Sequence, residues 1–430
     1  MTQFGRNKSY EVIVIGGGHS GCEAALSSAR NGARTLLLSI NMDSIALMPF
    51  GGKIGGPVKG QLVREINNLG GEISINTDKN YLNIREVGHT KRSSSRALQA
   101  VVDRRRYFLT MKEVLEKQKY LGLRQGLAVG IKKNKGGLRL VTSDDTFYDC
   151  KSLVICAGTF LRGNIIWGKN SIEAGRQGEI NSKRLSLSLE GLNFKFIRKR
   201  KYAAPMVDKK TIDLRKLKKE TLEHPLKMFS GNKIYIKKEQ LNNYIAYTGR
   251  EWPEYMLKNI KGEKEYYKYK RHEVIGNGAS VEEKVFKLKE KEGFKIFLQP
   301  VGRDTNEMYL QGLETMLPEE IQEKMIKKIK GLEEAEMTRP GYAVEYDCLA
   351  PWQIDLNMES KTLKGVFFAG HVNGTSGYEE AAAQGIIAGF NASGKHENLG
   401  IIVSERKDGY ISKLLANIVE GRTAKTREEP

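Results

Sequence analysis

Residues 10–39 read "YEVIVIGGGHSGCEAALSSARNGARTLLLS". Val12 to Ile15 form an unbroken apolar run, the pattern of a strand buried on both faces. Gly16, Gly18 and Gly21 follow as G-x-G-x-x-G, "CEAALSSARNGA" continues as a helix, and "RTLLLS" supplies a second strand. The glycines suit a tight turn, close approach of backbone to a pyrophosphate, and close packing of helix on strand. A helix start placed there offers free N–H groups and a positive dipole end to the diphosphate. Because the motif sits between a strand and a helix, it predicts a dinucleotide site held by Gly16, Gly17, Gly18, His19 and Gly21. The end of the second strand, where an acidic residue normally holds the ribose, carries Ser39, with Asn41 and Asp43 beyond it.

Two later segments repeat the strand-to-turn pattern. "SLVICAGTFLRG" places Ala157, Gly158 and Thr159 after a short buried strand, and "KGVFFAGHVNGTSGYEEAAAQGIIAGFNAS" (364–393) runs from strand through a small-residue turn into a helix starting near Tyr378. Three such elements, distant in sequence, predict one discontinuous α/β domain of Rossmann type, as in flavoproteins of the two-dinucleotide class, with a smaller α/β domain inserted. The expected layout is a first FAD-binding part at 1–195, an inserted substrate or NAD(P)H domain at 196–284, a second FAD-binding part at 285–400, and a short helical tail at 401–430. A fourth stretch, "LMPFGGKIGGPVKG" (47–60), holds five glycines; Gly55 and Gly56 are expected to bring backbone against the cofactor.

Composition narrows the function classes. The 430 residues carry 71 Lys and Arg against 51 Asp and Glu, a net charge of +20 that favours a polyanionic partner, although a lysine-rich composition alone would also produce it. No apolar run reaches the roughly 18 residues of a membrane span, and the start enters a strand directly, so a cytoplasmic location is expected. The four cysteines lack C-x-x-C spacing and the six histidines do not cluster with them, so no metal site is expected. No G-x-x-x-x-G-K-[ST] motif is present, which argues against a GTPase.

"GGGHSGCEAA", "IGGPVKGQLVREINNLGG", "CAGTFLRG", "FLQPVGRDTNEMYLQGL", "RPGYAVEYD" and "GVFFAGHVNGTSGYEEAAAQGIIAG" stand in this order. Together they make the chain resemble the MnmG/GidA family, the flavin-dependent enzymes that modify the wobble uridine of tRNA. The resemblance implies non-covalent FAD, NADH or NADPH as reductant, and methylenetetrahydrofolate as source of a one-carbon unit placed on carbon 5 of the uridine. It also puts Gly370, His371, Asn373, Gly374, Gly377 and Tyr378 beside the flavin. A homodimer is compatible with it. The tail is too short to match the family's helical C-terminal region, so the family's partner GTPase is not expected, and no membrane partner is.

Two family cysteines fall on Phe50 and Gly278. A thiolate adding to carbon 6 of a uracil would activate carbon 5, and neither Phe nor Gly supplies one. The catalytic residues are thus unknown from sequence, and a mechanism without cysteine is expected. Cys22, Cys150 and Cys156 read as packing residues, and Cys348 as the one thiol worth testing. For nucleic acid, most naturally RNA, the basic segments 90–107 (read as a basic helix), 195–219 and 257–273 nominate Arg104, Arg105, Lys199, Arg200, Tyr267, Lys268, Lys270 and Arg271. The tyrosines alternating with cations suit base stacking with phosphate neutralisation, and equally an amphipathic strand. Glu345 and Asp347 fit either substrate orientation or strand alternation. Two other functions remain open: a flavin-dependent lyase or oxidase acting on an already modified pyrimidine, including one in DNA, and a catalytically silent FAD protein that binds RNA.

Overall fold

The computed structural model describes residues 9–88, 96–220, 222, 227–231, 238–261, 280–287, 293–394 and 409–422. Its centre is a seven-stranded sheet. Strand Ser9–Ile15 lies between Thr35–Ser39 and Phe147–Ile155, parallel to both, and Leu121–Gln125 extends the sheet beyond Thr35–Ser39. Val366–Phe368 joins Phe147–Ile155 in parallel, while the hairpin Ala128–Asn134 and Gly137–Thr142 adds antiparallel strands. Val12, Ile13 and Val14 are fully buried, as the apolar run requires of a strand covered on both faces.

Two helices cross one face of this sheet in close contact. Helix His19–Arg30 meets helix Tyr378–Ala392 through glycine: a Cβ on Gly385 would stand 2.1 Å from the Ser20 carbonyl oxygen, and one on Gly389 2.2 Å from that of Ala24. The backbones approach closely enough for Ser27 and Ser28 hydroxyls to donate to the Ile386 and Gly389 carbonyls, at 3.0 and 2.8 Å. Residues some 360 positions apart are thereby locked together, and both helices start beyond the carboxyl ends of parallel strands of the sheet.

The inserted unit is larger than the expected 196–284. A six-stranded antiparallel sheet runs in the order Lys218–Lys219, Tyr244–Tyr247, Lys295–Pro300, Glu307–Gln311, Met206–Asp208, Met337–Arg339. Its core, including Val207, Trp252, Met256, Ile296, Leu298 and Ile326, is separate from that of the central sheet. Residues 285–339 therefore pack with the insert, because strands Lys295–Pro300 and Glu307–Gln311 find their hydrogen-bond partners there. Residues Phe196–Ala203, expected within the insert, instead pair antiparallel with Tyr342–Leu349, at the edge of a four-stranded sheet completed by Asn164–Trp167 and Asn170–Ile172, and the two strands form the neck where the chain leaves and re-enters the first domain. Segment 90–107 also differs: Ala97–Val102 is a strand, and the helix begins at Arg104 behind the Asp103 cap. A last helix, Tyr410–Val419, docks through two backbone N–H groups on the Glu65 carboxylate, both at 2.8 Å. Among the described residues no helix is long and apolar enough to cross a membrane.

Candidate functional site

The three strand-to-turn segments converge on one cleft. Gly16, Gly17, Gly18, His19, Ser39, Asn41, Ala157, Gly158, Thr159, His371 and Tyr378 line it. Gly16 has φ +105°, and a Cβ there would stand 2.4 Å from the Cys156 carbonyl oxygen, so only glycine closes the turn. Gly18 caps helix His19–Arg30 with nothing within 4 Å of its Cβ position, leaving room on the cleft side. That helix has no side-chain cap and no acidic residue in its first turn, so its N–H groups and positive end suit an anion.

His19 stacks on Tyr378 at 4.6 Å and Tyr107 at 5.6 Å. Burial, reinforced by the nearby Lys201 charge, lowers its pKa to about 3, so the ring is neutral, and its buried Nε2 has no hydrogen-bond partner among the described residues. An orphaned polar atom in a cleft walled by glycine backbone fits a polar ligand such as a dinucleotide. Ser39 donates to the Asn41 carbonyl at 3.1 Å, placing both at the end of the second strand, where a ribose would lie.

Other residues expected at the cofactor serve the protein itself. Gly21 packs against the Gly16 carbonyl rather than lining the cleft, and Asn373 is buried, donating to the Phe368 carbonyl and the Gln384 side chain at 2.8 and 2.9 Å. Gly370 and Gly374 shape the same turn with φ of +96° and +82°. A Cβ on Gly55 would meet the Leu98 carbonyl at 2.3 Å and one on Gly56 the Gln99 amide at 2.7 Å. The glycine-rich loop thus presses on the neighbouring strand, and the Glu379 carboxylate fastens it by accepting from the Gly55 N–H at 2.7 Å and pairing with Lys59 at 3.2 Å.

A second, wider cleft opens beside the first and shares Phe50 and Tyr378 with it. Gly55 and Gly377 line this one, with Lys53, Lys59, Lys201, Lys284 and Lys295. On strand Lys295–Pro300, Ile296 and Leu298 are fully buried, so parity turns Lys295 and Phe297 to the cleft. Lys53 and Lys295 stand over the Phe297 ring at 5.9 and 4.5 Å. The sequence offers Lys53 or Lys59, in the glycine-rich loop, as a phosphate contact, whereas Lys201, Lys284, Lys295 and Phe297 are not singled out by it. The alternation in "KIFL" was the available signal, and it becomes readable only once the buried face is known.

The predicted nucleic-acid residues scatter. Arg104 is buried with its guanidinium 4.8 Å from the Tyr309 ring centre, while Arg105 is exposed on the same helix. Lys199 and Arg200 are both about 2% exposed, so neither is a surface contact. Arg200 pairs across the neck with Glu345, and Arg198 with Asp347 at 2.8 Å, which settles the two acids as strand partners of arginine. Tyr267, Lys268, Lys270, Arg271 and Gly278 lie outside the described residues. The four cysteines are buried. Burial raises the Cys22 pKa and pushes Cys150, Cys156 and Cys348 up to about 12, so none is a thiolate near neutrality. Cys348 donates to the His371 carbonyl at 3.3 Å and reads as a packing residue. Among the described residues no group of His, Cys, Asp and Glu could hold a metal ion.

The cofactor cleft ends at Phe50, whose N–H donates to the Tyr378 hydroxyl at 3.0 Å. Behind it, Lys59 is held by Glu379 and by Glu380 at 3.3 Å. Burial works against its charge, but the two carboxylates outweigh this and leave its pKa raised.

The structure is similar to that of Aquifex aeolicus GidA, with a TM-score of 0.89 at 36% identity over 96% of this chain and 70% of that one. In sequence the chain is 41% identical to the tRNA uridine 5-carboxymethylaminomethyl modification enzyme MnmG of Ligilactobacillus salivarius, covering 97% of this chain and 67% of the relative. It is 42% identical to the enzyme of the same name from Geobacillus thermodenitrificans, over 96% and 66%. It thus spans about two thirds of the length of these relatives. The profile of the family described as "Glucose inhibited division protein A" matches residues 11–400, and the chain belongs to that family.

Proposed function

We propose that this chain is an FAD-dependent enzyme that modifies a uridine at carbon 5 in tRNA, without a cysteine nucleophile. The observation that carries the reading is the meeting of two clefts at Phe50 and Tyr378, one built as a dinucleotide cradle and the other lined with lysine. The cradle residues Gly16, Gly17, Gly18, Ser39 and Asn41 would hold the pyrophosphate and ribose, with the flavin toward Phe50, His371 and Tyr378. Bound FAD supplies two-electron redox chemistry and a site that can carry a one-carbon unit. The protein orients the reacting groups where the two clefts meet.

In the second cleft, Phe297 between Lys53 and Lys295 offers a ring face for a base and cations for its phosphates. Phe297→Ala should weaken binding of a tRNA anticodon stem-loop by about 10-fold, since one stacked base contributes roughly 1–3 kcal/mol; unchanged affinity in a fluorescence titration would remove this surface from the substrate path. NADH or NADPH as reductant, methylenetetrahydrofolate as carbon donor and a homodimer belong to the same proposal. No partner GTPase is proposed.

A flavin-dependent lyase or oxidase acting on an already modified pyrimidine is the second reading, favoured by the bulky Phe50 at the seam and by four protonated, buried thiols. The deciding experiment is nucleoside mass spectrometry of RNA and DNA from cells with and without the gene. The expected result is loss of a 5-substituted uridine from tRNA. Accumulation of a more substituted pyrimidine would favour the second reading. An unchanged profile, together with FAD that NADH and NADPH fail to reduce, would leave a silent FAD protein.

A further inference from the structure

Residues 198–202 read "RKRKY", and in a strand consecutive side chains alternate between faces. Arg198 and Arg200 face Asp347 and Glu345 across the neck. Lys201 projects to the opposite face, toward the seam between the two clefts. Its Nζ lies 4.2 Å from the Phe50 ring centre and 5.7 Å from that of Tyr378. It donates to the Ser376 carbonyl and stands 3.3 Å from His371 Nε2. Lys201 is 9% exposed and lines the second cleft.

We propose that Lys201 is the proton-accepting group of this enzyme, the amine at the seam that removes the carbon 5 proton of the pyrimidine being substituted. The inference rests on the uridine-modifying function proposed above. When an electrophilic one-carbon unit bonds to carbon 5, that carbon holds both the new substituent and its hydrogen, and carbon 6 is left electron-deficient. Transfer of the proton to Nζ returns the C–H electron pair to the ring as the C5–C6 double bond, and the amine becomes an ammonium. No nucleophile at carbon 6 is required, in keeping with Phe50 at the seam.

The surroundings set the amine's charge. Burial is the largest influence, followed by the Lys59 ammonium, and together they bring the Lys201 pKa down to about 7; Glu380 and Glu379 act in the opposite direction. His371 and His19, both with lowered pKa values, are neutral, and burial keeps the Tyr378 hydroxyl protonated. A lysine poised near the working pH can accept a proton and release it within one turnover. Once the ammonium forms, the Ser376 carbonyl and the two carboxylates offset its charge.

Two measurements test this. The first is reductive methylation of the intact, cofactor-free protein with formaldehyde and cyanoborohydride, read residue by residue by mass spectrometry. From pH 7 to pH 9 an ordinary lysine should label about 100-fold faster and Lys201 only about 2-fold faster, because half of its amine is already neutral at pH 7. A pH response like that of the other lysines would overturn the proposal. In the second, Lys201→Met and Lys201→Arg should retain FAD binding and reduction of the bound flavin while losing uridine modification by about 10²–10⁴-fold. Modification by either variant at the full rate would also overturn it. If the unaltered enzyme modifies no RNA, the functional proposal fails, whereas the labelling result still decides whether the seam holds a neutral amine.

Discussion

Replacing Gly16 with valine should abolish dinucleotide binding and destabilise the cofactor-free protein by about 2–4 kcal/mol. Its φ of +105° is a conformation that L side chains rarely adopt, and the added Cβ would meet the Cys156 carbonyl oxygen at 2.4 Å. That oxygen belongs to backbone and cannot rotate away. The Cys156 N–H donates to the Ile15 carbonyl and the Gly16 N–H to the Leu38 carbonyl, both at 2.8 Å, so the ends of three strands would have to separate. The helix start at His19 would shift with them and lose its aim into the cleft. Gly32→Ala is the control: Gly32 has φ +79° with nothing within 4 Å of its Cβ position, and its replacement should cost only about 1 kcal/mol. Urea unfolding and flavin fluorescence titration of both variants check this; equal losses would show that close approach at Gly16 is not what matters.

Glu345→Leu should cost about 3–5 kcal/mol by leaving the Arg200 guanidinium buried without its carboxylate. The Arg200 and Glu345 side chains are only 3% and 11% exposed, and the pair is set directly across the neck by the antiparallel register. The Arg200→Met/Glu345→Leu double variant should recover most of the loss, because an apolar pair of similar volume removes the buried charge altogether. Thermal and urea unfolding give the double-mutant cycle. If the double variant is no more stable than Glu345→Leu, the pairing is not the source of the loss. Since the neck joins the two units and carries Lys201 on its other face, damage here should also disturb the seam.

The first domain was legible because its signals are local. Four apolar residues before G-x-G-x-x-G can form a covered strand, a glycine turn and a helix start without information from elsewhere in the chain. Ala157 to Thr159 and His371 to Tyr378 follow the same rule, and the three turns share one cleft because their strands are neighbours in a single sheet.

What sequence could not supply was the partner of each strand. Residues 295–311 look like a return to the first domain until their hydrogen bonds to 244–247 and 206–208 place them in the insert. "RKRKY" reads as a basic surface, yet once Phe196–Ala203 is paired with Tyr342–Leu349, parity sends arginine to buried carboxylates and Lys201 to the seam. The glycines of 51–56 were read against a cofactor but meet the neighbouring strand, Phe229 and Tyr309 instead. Local pattern determined the dinucleotide cradle, because backbone conformation and apolar periodicity are properties of a few adjacent residues. Only tertiary structure decided which charges are buried, which are paired and which face a ligand, because desolvation and pairing depend on neighbours far off in the chain, 345 positions away for Glu65 and Tyr410.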